Sequence, residues 1–133
     1  MTKPTILYVE DEQWFMGGIV DSLSVDYNVI KARNADQALA FLESGKHKIG
    51  LILLDIMMPP GRRIRNSQRG RRTGVEFVRE VLEKRKYNIP IVCYTVVNDR
   101  SVRSELMQIG VKEIVSKRAL PSELEQIIRK HLR

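Results

Sequence analysis

Apolar residues follow two different patterns that alternate along the chain. Three continuous apolar runs rich in β-branched residues are typical of strands covered on both faces, and two shorter runs are further strand candidates. These five runs lie at 5–9, 27–31, 49–54, 91–97 and 113–116. Segments with helical periodicity lie at about 12–24, 35–44, 74–86, 99–109 and 121–132. The pattern therefore predicts five strands alternating with five helices.

Two of the predicted helices carry start signals, and two have a clear apolar face. Asn34 is followed three residues later by Gln37, a variant of the capping box, and Pro121 stands at a favoured first helical position. The apolar faces consist of Val75, Val78 and Leu82 in the third helix and of Leu124, Ile127, Ile128 and Leu132 in the last. We expect these faces to pack on the sheet.

Strands alternating with helices predict an α/β fold, because parallel neighbours in a sheet need a crossover connection and that crossover is right-handed. The expected architecture is a doubly wound, three-layer sandwich with a five-stranded parallel sheet. The length of 133 residues suits a single domain over 1–133 with a core of its own. In such sheets ligands bind outside the carboxyl ends of the strands.

The basic charge of the chain is concentrated in one segment. Of the 23 lysines and arginines, six arginines lie between residues 62 and 72 without any acid, so 17 basic residues elsewhere stand against 16 acidic ones. The net charge of +7 therefore does not describe the body of the domain. The segment lacks apolar periodicity and predicts an exposed loop insertion at about 60–73.

Other compositional features favour a soluble cytoplasmic protein. No apolar run approaches the roughly 20 residues of a membrane span, so we expect no membrane partner. The chain does not begin with a secretory pattern, and the one cysteine, Cys93, stands inside an apolar run. A reducing compartment suits this composition.

Chemically useful side chains follow the predicted strands. Glu10 and Asp11 follow the first strand, Asp55 the third and Lys117 the fifth, while Thr95 ends the fourth. Carboxylates can act as nucleophiles or bind Mg²⁺, and a lysine and a hydroxyl can contact phosphate oxygens. Taken singly, each residue also has a structural interpretation: Glu10 and Asp11 as acids of a first helical turn, and Asp55 as a turn residue. A lone Thr95 is more often a strand residue than a ligand, and a lone Lys117 is usually a solvated charge. Their joint placement at one sheet edge favours phosphoryl transfer.

Four motifs resemble the receiver domains of response regulators in two-component signalling. They are ILYVEDE at 6–12, LLDIMMP at 53–59, Thr95, and Ser116-Lys117. They occur in the family's order and span nearly the whole chain. The resemblance implies a flavodoxin-like sheet of order 2-1-3-4-5, in which Asp55 is the phosphoacceptor and Mg²⁺ is bound by Glu10, Asp11, Asp55 and the backbone carbonyl of Met57.

The resemblance also implies how the domain works. Thr95 and Lys117 would contact the phosphoryl group, and the donor would be a sensor histidine kinase or a phosphotransfer protein. The domain would catalyse only its own phosphorylation and dephosphorylation. The switched surface would comprise the fourth helix, the fifth strand and the fifth helix, which is also where a homodimer would form.

Several positions depart from the family's pattern. Glu10 stands where an aspartate is usual, and Val96 replaces a small residue and is expected to crowd access to Asp55. Arg118 follows the lysine where the family has a cis proline, so we expect a trans bond, because a non-proline cis bond costs about 2.5 to 4 kcal/mol. Ile114 occupies the aromatic switch position. The arginine-rich insertion has no counterpart in the family.

Two other functional classes remain open on sequence alone. A nucleic-acid-binding module would explain the arginines, although aromatic residues do not cluster with them and no known binding motif is present. A related phosphatase would also use an aspartyl nucleophile and Mg²⁺, but it needs a further acid or base for the leaving group. The insertion itself has three possible interpretations: a solvated loop without a partner, a binding site for an acidic protein, or a binding site for nucleic acid.

Overall fold

The computed structural model describes residues 3–58 and 72–132, except for the side chains of 13–17. Strands and helices alternate throughout these residues, as predicted. The strands are β1 (Thr5–Val9), β2 (Asn28–Ala32), β3 (Ile49–Leu54), β4 (Ile91–Thr95) and β5 (Glu113–Ser116). The helices are α1 (Gln13–Leu23), α2 (Ala35–Ser44), α3 (Thr73–Arg79), α4 (Arg100–Ile109) and α5 (Pro121–His131).

All five strands form one parallel sheet in the order β2-β1-β3-β4-β5. The flavodoxin-like order implied by the resemblance is therefore confirmed. The strand order reverses beside β1, which pairs with both β2 and β3. The carboxyl ends of β1 and β3 therefore lie next to the switch point where ligands bind in such sheets.

The sheet separates two apolar cores, as a three-layer sandwich requires. Along β1, Leu7 and Val9 belong to one cluster, with residues from α2, α3 and α4. Ile6 and Tyr8 belong to the other, with residues from α1 and α5. All four side chains are fully buried because successive residues of a strand point to opposite faces.

The predicted start signals are present in the structure. Asn34 Oδ1 accepts the Gln37 N–H at 2.8 Å, and the Gln37 side chain in turn accepts the Arg33 N–H at 2.8 Å. Pro121 is the first residue of α5. By contrast, the first turn of α1 contains no acid, so Glu10 and Asp11 precede that helix and are not ordinary first-turn acids.

Some predicted boundaries were wrong for identifiable reasons. The third helix begins at Thr73 and changes at Glu80–Lys84 into a π-helical turn, so it does not run regularly from 74 to 86. By contrast, β4 ends at Thr95, as predicted, although the apolar run continues to Val97, and the Thr95 hydroxyl accepts the Val97 N–H at 3.2 Å there. Tyr27 belongs to the turn after α1, where its N–H bonds to the carbonyl of Leu23.

The structure describes only the downstream end of the insertion predicted at about 60–73, and the insertion stays a prediction. Arg72 is half-buried and forms two hydrogen bonds with Glu105, and Thr73 is a buried residue of α3. The rest of the predicted insertion, residues 60–71, lies outside the described residues.

None of the described helices combines the length and the apolar character that crossing a membrane requires.

Candidate functional site

Backbone hydrogen bonds continue the strand pairing past the ends of the strands and align the polar residues there. The Asp55 N–H donates to the Val9 carbonyl at 3.0 Å, directly before Glu10. Between the next pair of strands, β4 and β5, the Lys117 N–H donates to the Thr95 carbonyl at 3.1 Å. The predicted residues of β1, β3, β4 and β5 thus meet at one edge because each follows or ends a strand of the same parallel sheet.

Lys117 is the cation at the centre of this edge. Its Nζ lies 2.7 Å from Oε2 of Glu10 and 3.0 Å from Oδ2 of Asp55. All three side chains are nearly removed from solvent, with exposed fractions of 7% for Lys117, 0% for Glu10 and 5% for Asp55. Because removing one partner leaves another buried charge uncompensated, each member of this group depends strongly on the others.

The site perturbs the proton affinities of its members. Burial, together with the charge of Asp55, raises the pKa of Glu10 to about 7, although its contact with Lys117 works in the opposite direction. Burial also raises the pKa of the Asp11 carboxyl. For Lys117, burial alone would lower the pKa, but the contacts with Glu10 and Asp55 raise it above its ordinary value. Lys117 therefore remains charged at neutral pH.

Carboxylate oxygens of Glu10, Asp11 and Asp55 lie within 4.8 Å of one another. Asp11 is only half-buried, whereas the other two are buried, so this cluster has one side toward solvent. A set of oxygen donors without histidine or cysteine matches the preference of Mg²⁺ for hard ligands and retained waters. The residues present therefore fit Mg²⁺.

Met57 contributes to the site through its backbone. Its N–H donates to Asp55 Oδ1 at 3.1 Å, while its side chain is 43% exposed. The two oxygens of Asp55 thus have different environments, because Oδ1 contacts Met57 and Oδ2 contacts Lys117. The role of the Met57 carbonyl as a metal ligand stays a prediction.

Thr95 ends β4 with a buried side chain, 2% exposed. Its Oγ1 accepts the Val97 N–H, which fixes the oxygen at the strand end while the hydroxyl can still donate its own proton. Thr95 also lines a cavity together with Ile114, which occupies the family's aromatic position. Val96 is 68% exposed, and its expected effect on access to Asp55 stays a prediction.

The peptide bond between Lys117 and Arg118 is trans, as expected from the absence of a proline. The Arg118 N–H donates to the Ser116 hydroxyl oxygen at 3.1 Å, so a local turn holds the backbone after Lys117. Lys117 reaches Glu10 and Asp55 from this trans backbone.

Sequence reasoning missed the role of Gly74, at which it placed only the start of the third helix. The Gly74 N–H donates to the Ile56 carbonyl at 3.0 Å. A Cβ at position 74 would lie 2.7 Å from the Ile56 carbonyl oxygen and closer still to the Ile56 Cα. Ile56 directly follows Asp55, so a glycine is needed where α3 approaches the backbone of the site. A glycine just inside a helix start was the one available signal.

These features define a doubly wound α/β domain with an acidic pocket and a buried lysine at its switch point. Residues 6–129 match the family model of the response regulator receiver domain. The chain therefore belongs to the response-regulator receiver family. Receiver domains bind Mg²⁺ at such an acidic pocket and interact with histidine kinases or phosphotransfer proteins.

Individual relatives agree with this assignment. The chain is 28% identical, over its whole length, to half of a probable transcriptional regulator, ycf27, of Porphyridium aerugineum. It is 26% identical to the response regulator RR06 of Streptococcus pneumoniae, with 84% of this chain and 45% of the relative covered. The chain thus spans about half the length of these curated relatives.

Solved structures show the same fold. The chemotaxis protein CheY4 of Vibrio cholerae matches with a TM-score of 0.80 at 22% identity, covering 98% of this chain and all of that one. The beryllofluoride-activated receiver domain of RstA from Klebsiella pneumoniae matches with a TM-score of 0.79 at 25% identity, covering 97% and 98% of the two chains.

Proposed function

We propose that Asp55 accepts a phosphoryl group from a histidine kinase or a phosphotransfer protein, with Mg²⁺ held by Glu10, Asp11, Asp55 and the carbonyl of Met57. The observation that carries this proposal is the position of Lys117 between Glu10 and Asp55 in the acidic cluster. An aspartate beside a buried cation and two further acids suits phosphoryl transfer better than a purely structural role.

The reaction follows from the two environments of Asp55. A carboxylate oxygen of Asp55 attacks phosphorus, the bond from phosphorus to the donor's nitrogen or oxygen breaks, and the donor leaves with the electron pair of that bond. The Met57 N–H holds Oδ1 and so fixes the plane of the carboxylate. Bound Mg²⁺ would supply positive charge that offsets the repulsion between the carboxylate and the incoming phosphoryl group.

Lys117 and Thr95 would then respond to the new charge. Lys117 can exchange its contact with Asp55 for a phosphoryl oxygen, and the Thr95 hydroxyl can donate to another oxygen. Both residues lie at the ends of the paired strands β4 and β5. Phosphorylation would therefore shift an existing equilibrium of the β4–α4 region and change the surface formed by α4, β5 and α5.

The remaining sequence predictions belong to the same proposal. We infer one receiver domain over 1–133 that acts in the cytoplasm and catalyses only its own phosphorylation and dephosphorylation. A homodimer through α4, β5 and α5 remains one way to read out the switch.

For the five arginines at 62, 63, 65, 69 and 71, a glutamine variant of all five distinguishes the interpretations. Loss of phosphoryl transfer from the kinase would indicate an acidic protein partner, and loss of salt-sensitive binding would indicate nucleic acid. Wild-type behaviour would indicate a solvated loop without a partner.

Incubation with acetyl phosphate and Mg²⁺ tests the proposed function against its nearest alternatives. We expect the protein to accumulate one phosphoryl group and to release inorganic phosphate only slowly. Continuous turnover would identify a phosphatase. The absence of both phosphoryl uptake and turnover would overturn the proposal. Chelation of Mg²⁺ by EDTA should abolish the uptake, and readdition of Mg²⁺ should restore it.

A further inference from the structure

Three arginines around the start of α4 and the end of β5 differ from the other arginines that the structure describes. Their guanidinium groups form no ion pair or side-chain hydrogen bond with any described residue. These three are Arg100, Arg103 and Arg118. By contrast, the arginines that pair with a carboxylate are Arg72, Arg79, Arg85 and Arg129.

The acids near these arginines are already engaged on other elements. Asp99 Oδ1 accepts the N–H groups of Ser101 and Val102 and so caps α4. Glu105 faces α3, where arginines bind it, and Glu113 contacts His131 on α5. The positive charge of the three arginines is therefore not neutralised by their neighbours.

An apolar cavity lies between these arginines. It has a volume of about 290 Å³, and its lining includes Thr95, Val97, Ile114 and Val115, with Arg103 and Arg118 as its cations. An adjoining cavity of about 460 Å³ shares Arg103 and Ile114 and is further lined by Arg100, Ser104, Met107 and Glu113. We name the two together the arginine-rimmed cavity.

Apolar side chains in the lining of this cavity reach the surface. Val96, which lines the first cavity, is 68% exposed, and Met107, which lines the second, is 50% exposed. Ile114 is only half-buried between them. Exposed apolar side chains that surround a concave surface with cations at its rim are typical of a site for a protein partner.

We propose that the arginine-rimmed cavity binds an acidic segment of a partner protein, which inserts one large apolar side chain between Thr95 and Ile114. The apolar side chain would fill the concave surface while carboxylates beside it pair with Arg103 and Arg118. The inference names the chemistry of the partner for the output surface proposed above, and in that respect it rests on the proposed function. The binding itself needs no phosphoryl group.

Other occupants fit this surface less well. The lining contains no aromatic residue on which a nucleic-acid base could stack. A second copy joined through a two-fold axis would bring the same three unneutralised arginines toward one another. An acidic segment instead supplies carboxylates for the three arginines, since the one carboxylate in the lining, Glu113, already contacts His131.

Fluorescence anisotropy with labelled synthetic peptides tests the proposal. The probe is a short peptide of aspartate and glutamate residues with one central phenylalanine. The matched peptides replace either the phenylalanine by alanine or the acids by glutamine. We expect the first peptide to bind and either replacement to weaken binding about tenfold, which corresponds to about 1.4 kcal/mol.

Protein variants locate the binding. Arg103→Gln should weaken binding about fivefold, because it removes a cation from the rim of the cavity. The matched control, Arg129→Gln, changes the net charge equally but removes an arginine that is paired with Glu125, and it should leave binding within twofold. Ile114→Trp should fill the cavity and weaken binding about tenfold, with circular dichroism used to verify its fold.

Several results would overturn the proposal. They are equal binding of the phenylalanine and alanine peptides, equal effects of the Arg103 and Arg129 variants, and displacement of the peptide by a DNA duplex. Self-association that Arg103→Gln abolishes would instead identify a second copy as the occupant. Asp55→Asn should bind the peptide normally, and Arg103→Gln should take up phosphate normally, so failure of this proposal and failure of the proposed function are distinguishable.

Discussion

Arg72 and Glu105 join α3 to α4 through two parallel hydrogen bonds of 2.6 and 2.7 Å. Arg79 adds a third bond of 2.5 Å to the same carboxylate. The hydrogen bonds from Arg72 and Arg79 lower the pKa of Glu105 to about 2. The arginine-rich segment thus ends in a residue that holds the helix next to the proposed switch region.

Substitution of Glu105 by glutamine should lower the free energy of unfolding. The variant loses a carboxylate that two arginines share, one of them in bidentate geometry, and we expect a cost of about 1 to 2 kcal/mol. Urea denaturation at pH 7 measures it. The matched control is Glu83→Gln, which removes only an exposed pair with Arg79 and should cost less than about 0.5 kcal/mol. Equal effects of the two variants would contradict a special role for Glu105.

The stabilising effect of Glu105 should depend on pH in a defined direction. Because its pKa is lowered from 4.5 to about 2 by folding, the folded state favours the charged carboxylate. The stability that it contributes is fully present above about pH 4.5 and is lost as the pH falls toward 2. The difference in unfolding free energy between wild type and Glu105→Gln should therefore shrink between pH 5 and about pH 3. A difference that stays constant would show that the charge is unimportant.

Replacement of Gly74 by alanine should destabilise the protein and disturb the site. The new Cβ would overlap the backbone of Ile56, and because backbone cannot move aside as a side chain can, we expect a loss of about 2 kcal/mol or more. Phosphoryl uptake should slow as well, since Asp55 precedes Ile56. Thermal unfolding and acetyl phosphate assays measure the two effects.

Gly18→Ala provides the matched control for this prediction. Gly18 lies in α1 with no atom within 4 Å of an added Cβ. Alanine should stabilise the helix there by up to about 1 kcal/mol. If both glycine variants had the same effect on stability, the close approach of Gly74 to Ile56 would not be the cause.

Loss of the lysine charge should affect metal binding and phosphorylation in opposite directions. Lys117→Ala removes the cation that lies against Glu10 and Asp55, so Mg²⁺ should bind more tightly, by about tenfold. Phosphoryl uptake should fall, because the phosphoryl oxygens lose a positive partner. Isothermal titration with Mg²⁺ and acetyl phosphate uptake provide the two readouts. Weaker Mg²⁺ binding in this variant would contradict the arrangement of charges described here.

The alternation of strands and helices and the meeting of the site residues could be predicted because both depend on local patterns, whereas the order of the strands was implied by the family resemblance. Glu10, Asp55 and Lys117 each follow an apolar strand, and parallel strands bring their carboxyl ends to the same edge. The ion pair of Arg72 with Glu105 could not be predicted, since 33 residues separate its partners. The contact of Gly74 with Ile56 was equally hidden, because sequence does not reveal how closely two backbones approach.

The end of β4 shows a different limit of sequence analysis. Val96 and Val97 extend the β-branched run, so the pattern alone continues the strand. In the structure, the Thr95 hydroxyl accepts the Val97 N–H and the chain turns there. A hydrogen bond from backbone to the Thr95 side chain thus stands where the strand pairing ends, and such local bonds compete with secondary structure.

Peptide mapping by mass spectrometry tests whether Asp55 is the phosphoacceptor. After incubation with acetyl phosphate and Mg²⁺, we expect one acyl phosphate per chain, located on Asp55. Asp55→Asn should keep the fold, as circular dichroism can verify, and should carry no phosphoryl group. A phosphoryl group found on another residue of the wild type, or undiminished uptake by folded Asp55→Asn, would contradict the claim.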